Sequence, residues 1–217
     1  MLELLRQSEL LMQNMHALLH HPLDGAERAV LSSEYAILSL EHARGLRCLL
    51  EAEAMTSAPI LLRCQFEALL RAMWIFDCAS DKQVEDLKGS VESGPIPANA
   101  SIAQASRMLD ELERVPHVAN AIPPLREFQL HSWKPLNSYV HSGDHPLYRQ
   151  INGYPLGLAV SVLKQSNGLA MMAGMQIAIH TRVDGLQRTL LAVSDRYHEC
   201  LPIDQAKHPA EAETRAL

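Results

Sequence analysis

At 217 residues the chain is long enough to bury one substantial core. It is 47% apolar but only 5% aromatic, so that core is built from Leu, Ala, Ile, Val and Met, a mixture that favours helices over strands. A net charge of −6 argues against broad nucleic-acid binding but leaves room for a local basic groove, and no apolar run reaches the roughly 18 residues of a membrane span.

Leu2 to about Leu19 reads as an amphipathic helix, with Leu5, Leu11, Met12 and Met15 on its apolar face. Met1–Arg6 has no basic region ahead of a continuous apolar block, so no secretory signal is expected. His20–Gly25 is a turn. A long helix is predicted from about Ala26 to Ala54; Gly45 inside it costs about 1 kcal/mol against Ala and points to close helix packing. Thr56 or Ser57 caps the next helix, Pro59 fits its first turn, and it runs to about Ala79 as the most apolar and central element. Ser80 or Asp81 caps a shorter helix over Lys82–Val91, and Glu92–Asn99 is the clearest loop. Ser101–Arg114 is helical again.

Pro116, Pro123 and Pro124 punctuate the next stretch, with a short helix expected over Pro124–Trp133. Asp144-His145-Pro146 and Gly153-Tyr154-Pro155 frame a loop-rich insert. Two final helices cover roughly Leu156–Ile179, where Lys164, Gln165, Asn167 and Gln176 break the apolar run, and Val183–Glu199. The expected fold is an all-α bundle of long antiparallel helices with an irregular middle insertion from about Glu92 to Tyr154. Residues 1–201 form one domain in this reading, and 202–217 a disordered polar tail.

Two polar pairs stand out against this apolar background. Trp133–Gly143 holds Asn137 and His141 four apart, on one helix face, with a Gly where the helix would end. Lys134 lies about two turns before His141. Arg63 and Glu67 are also four apart, in the central helix, and most simply form an ion pair. Flanking Ile60, Leu61, Leu62, Phe66 and Leu70 predict partial burial of that pair, which then needs further hydrogen-bond partners. Asn137, Tyr139 or His141 can supply them, so Arg63 and Glu67 are expected to face the Asn137–His141 segment. An imidazole that titrates near neutrality, an amide and a Lys form a minimal apparatus for metal-independent RNA cleavage by an adjacent 2′-hydroxyl. Alternatively, the same residues only tie a helix to its neighbour.

Other chemistries find little support. His16 and His20, and His141 and His145, are spaced by four, but neither pair belongs to a zinc-protease motif, and no Glu-x-x-His is present for a di-iron site. No metal and no cofactor are expected. There is no phosphate loop, dinucleotide fingerprint or nucleophile elbow. Cys48, Cys64, Cys78 and Cys200 lack metal or redox spacing, and the first three sit in apolar helical patterns; buried free thiols in a reducing cytoplasm are expected.

The pattern resembles a group of uncharacterised bacterial all-helical proteins that carry Arg-x-x-x-Glu followed by Leu-Asn-x-x-Val-His-x-Gly. Here these are Arg63–Glu67, within Ser57–Arg71, and Leu136–Gly143. The resemblance spans roughly residues 30 to 180. More distantly the chain is similar to the HEPN class of helical domains, many of them ribonucleases of toxin–antitoxin and phage-defence systems. Their signature is an Arg, often a polar residue, then four to six residues and a His. His141 matches the His, and Asn137 lies in the interval. The basic position falls to Lys134, which lacks the forked guanidinium of the family's Arg.

The HEPN likeness implies a homodimer with both histidines converging, an RNA substrate, and His141 as general acid and base. Asn137 and Lys134 would then position phosphate, while Arg63 and Glu67 orient the site. An antitoxin or other regulatory protein is the implied partner. The alternative is a non-catalytic interaction or regulatory protein, in which Arg63, Glu67, Asn137 and His141 form a structural hydrogen-bond network.

Overall fold

The computed structural model describes residues 1–23, 25–93 and 104–202. Among them are nine α-helices and no strand. The helices are α1 (Leu2–Leu18), α2 (Glu27–Glu51), α3 (Ala58–Asp77), α4 (Asp81–Glu92), α5 (Ala105–Leu112), α6 (Ile122–Val140), α7 (Asp144–Asn152), α8 (Leu156–Thr181) and α9 (Leu186–Arg196). None is long and apolar enough to cross a membrane. Residues 94–103, within the predicted loop and helix start, and 203–217, in the predicted tail, lie outside the described residues.

The long helices form the bundle, and side-chain bonds fix its register. Ser32 Oγ on α2 donates to the Ala72 carbonyl of α3 (2.6 Å), and Ser39 Oγ donates to that of Gln65 (3.1 Å). Rising numbers on α2 meet falling numbers on α3, so the pair is antiparallel. Gly45 continues the series: a Cβ there would come within 2.9 Å of Leu61 Cδ1, the close approach the sequence implied. Gln65 and Ser166 exchange two bonds across α3 and α8 (2.8 and 2.7 Å), and His180 Nδ1 lies 2.8 Å from Ser33 Oγ. On α1, Ser8 donates to Asn167 of α8 (2.6 Å), while Glu9 pairs with the buried Arg47 of α2. These polar groups sit inside helices that otherwise read as apolar. Burial without such partners would cost each of them about 1–3 kcal/mol.

Several boundaries differ from those expected. Pro123 and Pro124 open α6 instead of interrupting it, because a first-turn residue needs no N–H. That helix then runs to Val140 as one element, with Pro135 inside it. The insert expected to be loop-rich contains α7, which Asp144 starts favourably at the dipole's positive end. Ser80 caps α4 in a reciprocal capping box with Gln83, as one of the two expected caps. All four thiols are free, but Cys48 is exposed and Cys200 is the fully buried one. Cys48 lies on the solvent side of α2, which an apolar-looking neighbourhood did not reveal.

Candidate functional site

The site is built on α6 and the part of α3 it covers. At 100° per residue, Leu125, Phe128, Leu136 and Tyr139 form one stripe of α6, and all four are buried. Lys134, Asn137 and His141 fall at i, i+3 and i+7 on the opposite stripe. Lys134 and His141 are exposed, and Asn137 is half-buried.

Aromatic packing holds α6 to α3. Phe66 is fully buried, stacked on Phe128 at 4.4 Å between ring centres and edge-on to Trp133 at 5.8 Å. Arg63 lies over the Trp133 ring, with Cζ 4.0 Å from the ring centre. Its Nη2 and Nε both donate to Glu67 Oε1 (3.0 and 3.2 Å). The expected ion pair is therefore present and half-buried, and the guanidinium is spread over an indole face. Such a contact contributes about 0.5–2 kcal/mol.

Arg63 thus meets α6 at the level of Trp133. Asn137 is one turn further on and His141 two turns, about 12 Å along the axis. Because α6 runs antiparallel to α3, Glu67 lies on the far side of that level. The structure brings Arg63, Glu67 and Trp133 together, and Lys134, Asn137 and His141 together, as two adjoining groups. No hydrogen bond joins the groups among the described residues.

Unpartnered polar atoms concentrate here. Among the described residues, five buried side-chain N or O atoms lack a hydrogen bond, and four of them are Arg63 Nη1, Asn137 Oδ1, Tyr139 Oη and Tyr154 Oη. Burial, with the Tyr139 hydroxyl nearby, pushes the Tyr154 hydroxyl well above its ordinary value. His141 makes no side-chain hydrogen bond or ion pair among the described residues. No group of three or more His, Cys, Asp or Glu there can hold a metal ion.

The end of α6 sets how α7 is mounted. Gly143 N–H donates to the Ser138 carbonyl (2.8 Å) and Ser142 N–H to that of Tyr139 (3.3 Å), a Schellman closure of the helix. The left-handed residue is Ser142 (φ 52°), not the glycine the sequence pointed to. Gly143 is needed for space: a Cβ would sit 2.8 Å from Ser138 Oγ, which itself accepts the His145 N–H (3.1 Å). Two opposite effects are expected. Ser142→Gly relieves the left-handed strain and stabilises by up to about 1 kcal/mol, whereas Gly143→Ala displaces Ser138 and destabilises. Urea unfolding of both variants reads the two signs; equal shifts would contradict this assignment of roles.

A polar pair that sequence reading missed lies at the other end of α3. His117 Nε2 is 2.8 Å from Asp77 Oδ1, and the Asp77 side chain is only 4% exposed. Residues forty apart, one of them in a short 3-10 turn, carry no local signal. Burial raises the Asp77 pKa, and the hydrogen bond from His117 offsets part of the rise. The folded protein then keeps a proton that the unfolded chain has released. Stability from this group falls as pH rises from about 4 through the raised value. Asp77→Asn is expected to flatten that slope, seen as urea midpoints that fall less than wild type between acid and neutral pH. Burial, with Asp77 and Glu111 close by, also pushes the Cys78 thiol up to about 11, so it stays protonated and unreactive at neutral pH.

A family model described as a family of unknown function, DUF6988, matches residues 36–203, which include every residue of this site. No curated protein matches the chain. No solved structure matches it.

Proposed function

The chain belongs to DUF6988, a family of unknown function, and we propose that it is a HEPN-like, metal-independent endoribonuclease of the toxin or phage-defence kind. One observation carries this reading. His141 stands exposed at the end of α6, its imidazole bonded to nothing among the described residues, on the same stripe as Lys134 and Asn137. A His141 that tied α6 to its neighbour would be committed to an internal bond.

In this mechanism the His141 imidazole takes the proton of a ribose 2′-hydroxyl. The 2′-oxygen attacks the adjacent phosphorus, and the bond to the 5′-oxygen breaks. A second His141, from the other copy of a homodimer, returns a proton to that 5′-oxygen. Lys134 offsets the charge developing on phosphate, and the Asn137 amide orients it. Arg63 and Glu67 act as positioning residues by clamping Trp133 and so fixing α6. The products are a 2′,3′-cyclic phosphate and a 5′-hydroxyl. Their detection at cut ends supports the reading; 5′-phosphate ends, or a requirement for a divalent cation, would overturn it.

A second reading has its own support. Leu147, Ile151 and Leu156 project apolar surface into solvent, as in a non-catalytic interaction or regulatory protein. It predicts a stable protein partner and no turnover.

A further inference from the structure

The helix α7 buries none of its side chains. Nine residues would not hold a helix alone in water. This one is mounted on α6 through the bond from the His145 N–H to Ser138 Oγ and a tilted contact of the His145 and Tyr139 rings, 6.5 Å apart. What it presents outward is Leu147 (58% exposed), Tyr148 (56%) and Ile151 (73%). The Arg149 guanidinium lies 5.2 Å from the Tyr148 ring centre and pairs with no carboxylate among the described residues.

Charge separates this surface from the rest of the protein. Residues 131–152 contain Lys134 and Arg149, three histidines (His131, His141, His145) and a single acid, Asp144. The whole chain carries −6. Asp144 sits at the start of α7, where the helix dipole favours it, and the rest of α7 carries no acid of its own. An exposed aromatic ring with apolar neighbours and a cation beside it suits a nucleobase and its phosphate. A second copy packed α7 to α7 would bury the aliphatic side chains but offer Arg149 no acid beyond Asp144.

We infer that α7 is a strand-holding element for single-stranded RNA, with a base stacked on Tyr148 and the neighbouring phosphate on Arg149. This rests on the ribonuclease reading and deepens it. Tyr148 is one turn into a helix that begins three residues after His141, so a strand held there passes the imidazole. Both are positioning residues, and neither takes part in proton transfer.

The test uses the full chain and a fluorescein-labelled oligouridylate, 2′-O-methylated throughout so that it cannot be cut, read by fluorescence anisotropy. Tyr148→Ala is expected to weaken binding about ten-fold, as for loss of one stacked base. Tyr148→Phe keeps the ring and should bind like wild type. Arg149→Ala should lower the slope of log affinity against log salt by roughly one.

Unchanged affinity in Tyr148→Ala, with cleavage by the wild type intact, would overturn the inference and leave the nuclease standing. Binding that depends on Tyr148, without cleavage by any form, would sink the nuclease and keep the strand-holding element. A protein that binds no oligonucleotide, but whose mass by light scattering drops on Tyr148→Ala, would reassign the face to a second copy and overturn the inference.

Discussion

His141→Ala is expected to lower the rate of RNA cleavage by 10²- to 10⁴-fold, the range for loss of a positioned general acid–base group. Its melting temperature should barely move. The side chain is exposed and makes no internal bond among the described residues, and surface substitutions of that kind stay within about 0.5 kcal/mol. This separation of activity from stability distinguishes a reacting group from a structural one. Loss of several degrees in Tm with unchanged cleavage would mean that His141 serves the fold. Lys134→Arg makes a useful companion, because it restores the forked donor the HEPN signature carries. If Lys134 contacts phosphate, that variant should retain or raise activity.

Phe66→Ala is expected to destabilise the protein by about 3–5 kcal/mol, a large share of the 5–15 kcal/mol of an ordinary domain. Phe66 is completely buried and packed against both Phe128 and Trp133. Truncation removes the transfer energy of the ring, leaves a cavity and takes away the wall on which α6 leans. Phe66→Leu keeps most of the volume and should lose less than about half as much. Urea unfolding followed by tryptophan fluorescence measures both, since Trp133 lies in the same cluster. A loss below about 1 kcal/mol would mean that α6 is held to the bundle by other contacts.

Much of the fold was legible because apolar residues recur at helical spacing along α1, α3 and α6, and because α2 and α8 are long runs free of proline. The ion pair of Arg63 and Glu67 was legible for the same reason, since four-residue spacing is a local property. What Arg63 rests on was not. Trp133 comes from a distant helix, and only packing reveals that the pair meets α6 there and not at His141. The helix α7 was hidden by Pro146 and Gly153, which carry turn signals even where the proline sits in a helix's first turn. Ser142 took the left-handed conformation while Gly143 was reserved for close approach, a distinction invisible in a Ser-Gly dipeptide. Buried Gln65, Ser166 and His180 looked like interruptions of apolar helices, because their partners lie on other elements.

The measurement that bears most directly on function is cleavage of single-stranded RNA in excess EDTA by wild type and His141→Ala side by side, with light-scattering mass on both. Chelator-resistant cleavage by a wild-type dimer, absent from an equally dimeric and equally stable variant, is the expected result. No cleavage by either protein, or equal cleavage by both, would contradict a nuclease centred on His141.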